Sequence, residues 1–269
     1  KLPFKFEFYP SIQHRGVLII RGGFSDNITN VSGLRSRFEF SKPLDDEDDS
    51  QLAAEIVNSF VRQSLEVLNK HPVNEYRISK RQKPANIILC RGASNEIPKF
   101  KKIKGKWSAL AYMPSTIGIA QSAGMEIYKF KYPKLRSYEP YSNIYSGLKK
   151  AVKRAKRMLK WKRDKYDYFF VHFKETDIPG HDGKPDEKVK MIELLDKRFF
   201  SFLKKFIGNS RLIITADHAT PSEKKAHSSS PVPVLIYPSK NHEEKRFTES
   251  QSLKGKKIMG SKLLEKYMF

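Results

Sequence analysis

The chain has 269 residues, 39 % of them hydrophobic, with 52 Lys and Arg against 29 Asp and Glu and a formal net charge of +23. That length gives one large domain or two modest ones, with enough apolar residues for a core. Cys90 is the only cysteine, which excludes an intrachain disulfide and fits a reducing, cytoplasmic setting; no apolar run is long enough to span a bilayer, and Lys and Pro interrupt the opening residues in a way no signal peptide tolerates.

Residues 14–21 read as a strand that turns at Gly22 and Gly23. The acidic run at 44–49 precedes a helical stripe of Leu52, Ile56, Phe60, Val61, Leu65 and Leu68. Carboxylates are stabilised at a helix N-terminus by its dipole, so the run is expected to start a helix rather than hold a metal. Residues 71–74 are expected to end that helix. Residues 85–90 read as a short apolar strand. A helix over 116–124, a strand over 125–130, and a basic helix follow. In that helix Leu148, Ala151, Val152, Ala155, Met158 and Leu159 recur at helical spacing and leave Lys and Arg on the other face. Next come a strand at 168–173, a helix carrying Val189, Ile192, Leu195, Phe199 and Leu203, a strand at 211–216 and a last strand at 232–237; 238–250 reads as loop. From residue 85 strands and helices alternate, which predicts an α/β fold with a largely parallel sheet and helices on both faces.

Two of these strands end in residues that carry chemistry. Asp177 and His181 follow the strand at 168–173, Asp217 and His218 follow the strand at 211–216, and His227 comes shortly after. Active sites of open α/β sheets lie beyond the carboxyl ends of the strands, and Arg91 is expected at the same edge. A lone Asp-His pair is usually a turn or a helix cap. Five such residues after two consecutive strands point instead to a metal, with a mixed shell suited to divalent Mn, Zn, Fe or Co rather than Ca or Mg. Pro179, Gly180 and Gly183 place the first segment in an irregular loop, where Asp177 and His181 need not share a helix face. The basic stretch at 149–165 leaves two readings open: a solvated helix face packed on a sheet, or a surface for nucleic acid or membrane.

The segments His14-Arg-Gly-Val, Ser25-Asp-Asn-Ile-Thr, His71-Pro-Val-Asn74, Pro84-Ala-Asn-Ile-Ile-Leu-Cys-Arg-Gly92, Thr176-Asp-Ile-Pro-Gly-His-Asp-Gly183, Asp217-His-Ala-Thr-Pro221 and His227-Ser-Ser-Ser-Pro-Val-Pro233 together resemble the archaeal-type cofactor-independent phosphoglycerate mutases of the alkaline phosphatase superfamily. The resemblance implies an alkaline-phosphatase-like α/β core at 84–269, without the N-terminal part of that core, and a smaller α+β inserted domain, a partial transferase-like lid, at 1–83. It implies two divalent ions, manganese first, with zinc, cobalt or magnesium as alternatives, and no need for 2,3-bisphosphoglycerate. Asp177, His181 and His227 would hold one ion, while Asp217 and His218 would contribute to the other. A further Asp and the nucleophilic Ser of the family have no counterpart here and are expected N-terminal to Lys1. Arg15 and Arg91, with His14 behind them, would bind the carboxylate and phosphate of the substrate; Lys188, Glu193, Asp196 and His172 would be structural or support the ligands.

The implied activity is an isomerase interconverting 3-phosphoglycerate and 2-phosphoglycerate through a phosphoserine, in glycolysis and gluconeogenesis. A metal-dependent phosphatase or phosphodiesterase on the same core, or a basic nucleic-acid-binding protein, are the alternatives. Residues 131–136 depart from the family's Gly-rich segment and bear on substrate geometry.

Overall fold

The computed structural model describes residues 4–11, 15–34, 37–133, 140–238 and 246–268. The chain forms two compact units, Lys1–Phe100 and Lys101–Phe269, a division 17 residues beyond the 83/84 boundary expected from the sequence. No helix among the described residues is long and apolar enough to cross a membrane.

In the first unit, β1 (Phe6–Pro10) and β2 (Gly16–Ile20) form an antiparallel pair, as do β3 (Ser32–Leu34) and β4 (Arg37–Glu39). The expected strand at 14–21 is therefore present, but His14 lies outside the described residues. Helix α1 (Asp48–Asn69) starts with Asp48 and Asp49 in its first turn, where the dipole favours them. Its buried face is Ala53, Ala54, Ile56, Phe60 and Val61, whereas Leu52 of the expected stripe is exposed. Residues 71–74 do more than end α1: His71 caps a second helix, α2 (Pro72–Ser79), by accepting from the Val73 amide at 3.2 Å. The expected strand at 85–90 is absent as a ladder strand. Its Cys90 carbonyl accepts from the Val31 amide at 2.8 Å, and Ile88 and Cys90 pack on the Val31–Phe60–Val61 core. Apolar content made it read as a sheet strand, and burial against α1 satisfied it instead.

The second unit opens with β5 (Trp107–Leu110), buried at every position and not foreseen from the sequence. Helix α3 (Pro114–Ser122) leads to β6 (Glu126–Ile127), and helix α4 (Pro140–Lys162) leads to β7 (Tyr168–Val171). These strands make a parallel sheet in the order β6-β5-β7, with Trp107 opposite Tyr168 and Leu110 opposite Val171. Helix α5 (Ile178–Asp182) is a single turn, followed by α6 (Pro185–Leu195), a π-turn at Asp196–Phe200 and α7 (Ser201–Phe206). Then β8 (Leu212–Ile214) and β9 (Leu235–Tyr237) pair antiparallel, Ile213 opposite Ile236. Short helices α8 (Glu249–Ser252) and α9 (Leu263–Tyr267) end the described chain. The alternation predicted from residue 85 thus begins at 107 and gives an α/β unit, with its last strand antiparallel. Residues 134–136 of the departing segment at 131–136 lie outside the described residues.

Helix α4 carries the amphipathic pattern faithfully. Leu148, Ala151, Val152, Ala155, Met158 and Leu159 are all buried, and all but Ala151 join one cluster with Leu110 of β5 and Met191, Leu195, Phe199 and Leu203 of the following helices. Its 23 residues include eight Lys and Arg and no Asp or Glu. Aromatic rings take up some of that charge: Lys156 and Lys160 lie 5.2 and 5.5 Å from the Phe202 ring, and Arg157 lies 5.4 Å from Trp161.

Candidate metal centre

Asp177 is the N-cap residue of α5, so its carboxylate leaves the end of the β7 segment at the start of a helical turn. The segment expected as irregular loop is thus helical over one turn. Asp177 and His181 stand four residues apart on it, with Nε2 3.5 Å from Oδ2, the spacing at which side chains on a helix meet. Gly183 ends the turn with φ 68°, a left-handed C-terminal position that favours glycine. Gly180 is needed for another reason: a Cβ there would lie 2.5 Å from the Thr220 carbonyl oxygen. Glycine lets α5 press against the segment after β8, and so brings the two site loops together.

That second segment is folded back on itself. An isolated antiparallel bridge joins Ala219 to Ser228, whose amide donates to the Ala219 carbonyl at 2.9 Å. The bridge sets His227 over His218, with ring centroids 3.7 Å apart. His227 Nε2 lies 3.0 Å from His181 Nε2 and 3.8 Å from Asp177 Oδ1. Ligand atoms of Asp177, His218 and His227 all fall within 4.8 Å of one another. Asp217 Oδ2 is 3.3 Å from His218 Nε2, and the Asp217 side chain is 69 % exposed. All five residues singled out by sequence therefore gather at one rim of the second unit.

Thr220 organises the cluster, and sequence reading gave it no role. Its hydroxyl donates to Asp177 Oδ1 at 2.7 Å and lies 3.1 Å from His218 Nδ1. An ionised carboxylate can only accept, so the single Thr220 proton goes to Asp177. Thr220 then accepts from His218 Nδ1–H, and the other ring nitrogen, Nε2, faces Asp217 Oδ2 at 3.3 Å. A partner on one ring nitrogen that frees the other for a metal is the usual orienting device of such sites. The signal was in the sequence, as a Thr two residues after the Asp-His pair.

Burial pushes the Asp177 carboxyl up, but the Lys174 ammonium and the Thr220 hydroxyl outweigh it and hold the group below its usual value. It stays an anion at neutral pH. Lys188, matched above as a supporting residue, donates to the Thr220 carbonyl at 2.8 Å and ties α6 to the same turn. His172 is half-buried, and that burial depresses its imidazole below its ordinary range. Behind the site, Glu175 is 1 % exposed and accepts from Tyr112 Oη at 2.6 Å, while that hydroxyl accepts from the Lys174 amide at 3.1 Å. The segment leading to Asp177 is thereby anchored to the residue that follows β5 and Ala111. Arg15 and Arg91 are exposed and belong to the first unit.

The donor set fits divalent cations. It offers two carboxylates and three imidazoles, a mixed oxygen–nitrogen shell. His181 Nε2 lies 3.5 Å from Asp177 Oδ2, His227 Nε2 lies 3.8 Å from Asp177 Oδ1, and the two ring nitrogens are 3.0 Å apart, each separation within twice the metal–ligand distance of about 2.1 Å that a shared cation requires.

A family model described as the Metalloenzyme superfamily matches residues 126–264, which hold all five of these side chains. A second, described as 2,3-bisphosphoglycerate-independent phosphoglycerate mutase, matches residues 1–74. A protein of the latter name from Saccharolobus islandicus is 35 % identical over 262 residues, covering 93 % of this chain and 60 % of that protein. One of the same name from Ignicoccus hospitalis is 32 % identical over 240 residues, covering 87 % and 55 %. The chain thus spans well under two thirds of the length of these relatives. Of solved structures, the PH0037 protein from Pyrococcus horikoshii superposes with a TM-score of 0.58 at 31 % identity, over 77 % of this chain and 54 % of that one. The cofactor-independent phosphoglycerate mutase from Thermoplasma acidophilum shares the fold, with a TM-score of 0.53 at 21 % identity, over 98 % and 65 %.

Proposed function

The chain belongs to the metalloenzyme superfamily, and on that premise we propose that it works as a 2,3-bisphosphoglycerate-independent phosphoglycerate mutase, an isomerase of glycolysis and gluconeogenesis in the cytoplasm. The observation that carries the reading is the gathering of Asp177, His181, Asp217, His218 and His227 at one rim. The similarity to relatives of that name over 93 % of the chain supports it.

In this reading Asp177, His181 and His227 hold one divalent cation, and Asp217 and His218 contribute to a second, with manganese the leading identity. The cations supply charge stabilisation to the attacking and leaving oxygens of a phosphoryl group. The side chains of the protein do the positioning. Thr220 orients the His218 ring and the Asp177 carboxylate at once. Lys174 offsets the Asp177 charge. Arg15 and Arg91, with His14, are the groups we assign to the substrate carboxylate and phosphate, because a guanidinium meets such anions with two parallel hydrogen bonds. The unit Lys1–Phe100 is assigned to the inserted domain and the unit Lys101–Phe269 to the metal-bearing core.

A coupled assay on the full-length protein, with 3-phosphoglycerate, Mn²⁺ and no 2,3-bisphosphoglycerate, tests the proposal. Formation of 2-phosphoglycerate that is lost on His181→Ala and on chelation is the expected result. Release of inorganic phosphate without isomer formation would replace the mutase by a phosphatase, and isomer formation in excess chelator would remove the metal from the account.

A further inference from the structure

Helix α4 buries its apolar stripe in the core, and its other face carries charge that the metal centre does not use. Between residues 140 and 165 ten Lys and Arg meet a single acid, Asp164. Among the described residues no carboxylate forms an ion pair with the eight cations of α4. Lys149, Lys153, Lys156 and Lys160 recur at steps of four and three residues, which sets them in one row along the helix, about 16 Å long. Aromatic rings border the row. Lys156 and Lys160 stand over Phe202, and Arg163, just past the helix, stands 5.3 Å from the Phe206 ring. Phe202 and Phe206 stack on each other with centroids 5.2 Å apart. Trp161 is 68 % exposed, and Arg157 covers only one face of its ring.

The row also leads away from the metal. Tyr141, in the first turn of α4, donates to Asp182 of α5 at 2.7 Å. Trp161, in the last turn, stands about 30 Å further along the helix, before the amino end of β7, while Asp177 follows its carboxyl end. A membrane surface would need apolar side chains on the outward face of such a helix, and those of α4 are buried. A single phosphate would need cations that converge, and these are strung along a line.

We propose that this face of α4 binds single-stranded nucleic acid, with Lys149, Lys153, Lys156 and Lys160 along the phosphates and Trp161 stacked on a base. A cationic track beside aromatic platforms is how proteins hold single strands without reading their sequence. The regular charge of a polynucleotide backbone matches a regular row of ammonium groups, and the open face of the Trp161 ring matches a base that is free of a pairing partner. Phosphates and bases are common to RNA and DNA, so the face takes either.

The proposal is independent of the mutase reading, so its test uses neither Mn²⁺ nor phosphoglycerate. Fluorescein-labelled oligouridine and oligothymidine of about 15 nucleotides, enough to span such a site, are titrated with the full-length protein and followed by fluorescence anisotropy. Both are expected to bind with a Kd of about 10 μM or tighter at about 0.1 M NaCl. The logarithm of the binding constant is expected to fall against that of the salt concentration with a slope of about −3, the value for four phosphates neutralised on a single strand. Lys153→Glu combined with Lys160→Glu is expected to weaken both strands about tenfold or more. Lys83→Glu combined with Lys99→Glu makes the same change in net charge at exposed positions of the first unit and is expected to keep the affinity within about threefold. Trp161→Ala is expected to weaken oligothymidine about fivefold or more, and an abasic strand of the same length not at all. The salt slope of the parent needs no variant, so the test survives a misfolded one. No binding of either strand, a slope near zero, equal losses in the two charge-reversed pairs, or unchanged oligothymidine binding by Trp161→Ala overturns the proposal. So does binding to vesicles of anionic phosphatidylglycerol by a protein that binds neither strand.

Discussion

The Thr220 hydroxyl donates to Asp177 Oδ1 at 2.7 Å, a bond between two loops that are 43 residues apart and both carry candidate ligands. Because the same oxygen faces His218 Nδ1 at 3.1 Å, removing it frees a carboxylate and an imidazole together. Thr220→Val keeps the shape and deletes the hydroxyl. Loss of such an orienting partner typically costs about 10–100-fold in metal affinity. Titration calorimetry with Mn²⁺ should show a loss in that range, and an unchanged affinity would deny Thr220 its role.

Gly180 makes the two loops touch. A Cβ 2.5 Å from the Thr220 carbonyl cannot be accommodated by rotating a side chain, because the obstacle is backbone. Gly180→Ala should destabilise the protein by about 1–3 kcal/mol, the usual cost of overpacking. It should also displace Thr220 and lower Mn²⁺ affinity, whereas Gly208→Ala, with open space around it but φ 53°, should cost stability without touching metal binding. Urea unfolding and calorimetry on the pair separate the two effects.

A cation that binds only the folded state stabilises it, by about 2.7 kcal/mol at a hundredfold excess over the dissociation constant. Mn²⁺ should therefore raise the thermal midpoint of the metal-stripped protein, and His227→Ala should abolish the rise. His227 is half exposed, so the variant itself should unfold within a few degrees of the parent. Equal stabilisation of parent and variant by Mn²⁺ would place the ion elsewhere.

Glu175 gives a pH signature. Burial pushes its carboxyl above the ordinary range, against the pull of the Tyr112 hydroxyl. The folded state thus holds the proton more tightly than the unfolded chain does. The stabilisation is complete below the unfolded value of about 4.3 and is lost as pH rises through the raised folded value. Glu175→Gln stays neutral and can still accept from Tyr112. The stability of the parent should fall relative to Glu175→Gln as pH rises from 4 towards neutral, measured by denaturant unfolding at a series of pH values. Parallel curves would show that Glu175 does not titrate in this window.

That Asp177, His181, Asp217, His218 and His227 gather at one rim could be anticipated before any coordinates, because both segments follow apolar runs that end at one edge of an α/β fold. Helix α4 was legible for the same kind of reason: six apolar residues at helical spacing became its buried stripe. What failed was the choice between apolar segments of similar length. Residues 85–90 look more strand-like than Trp107-Ser-Ala-Leu, whose small residues have weak strand preference, yet the latter is the central strand. Burial by neighbours far along the chain decides that, and local pattern carries no record of it. The turn of helix at Ile178–Asp182 was missed because Pro179 and Gly180 read as breakers. Proline is at home in the first turn of a helix, and Gly180 answers to Thr220 rather than to its own backbone.

The helix without acids has its own consequence. Eight cations on α4 face one another with no carboxylate of their own helix between them, so the folded state gathers charge that the extended chain would spread. Added salt screens such repulsion, with a Debye length of about 10 Å at 0.1 M. In this protein ionic strength should act as a support for the fold, and dilution into low-salt buffer as a slow loosening of the scaffold on which the metal loops rest.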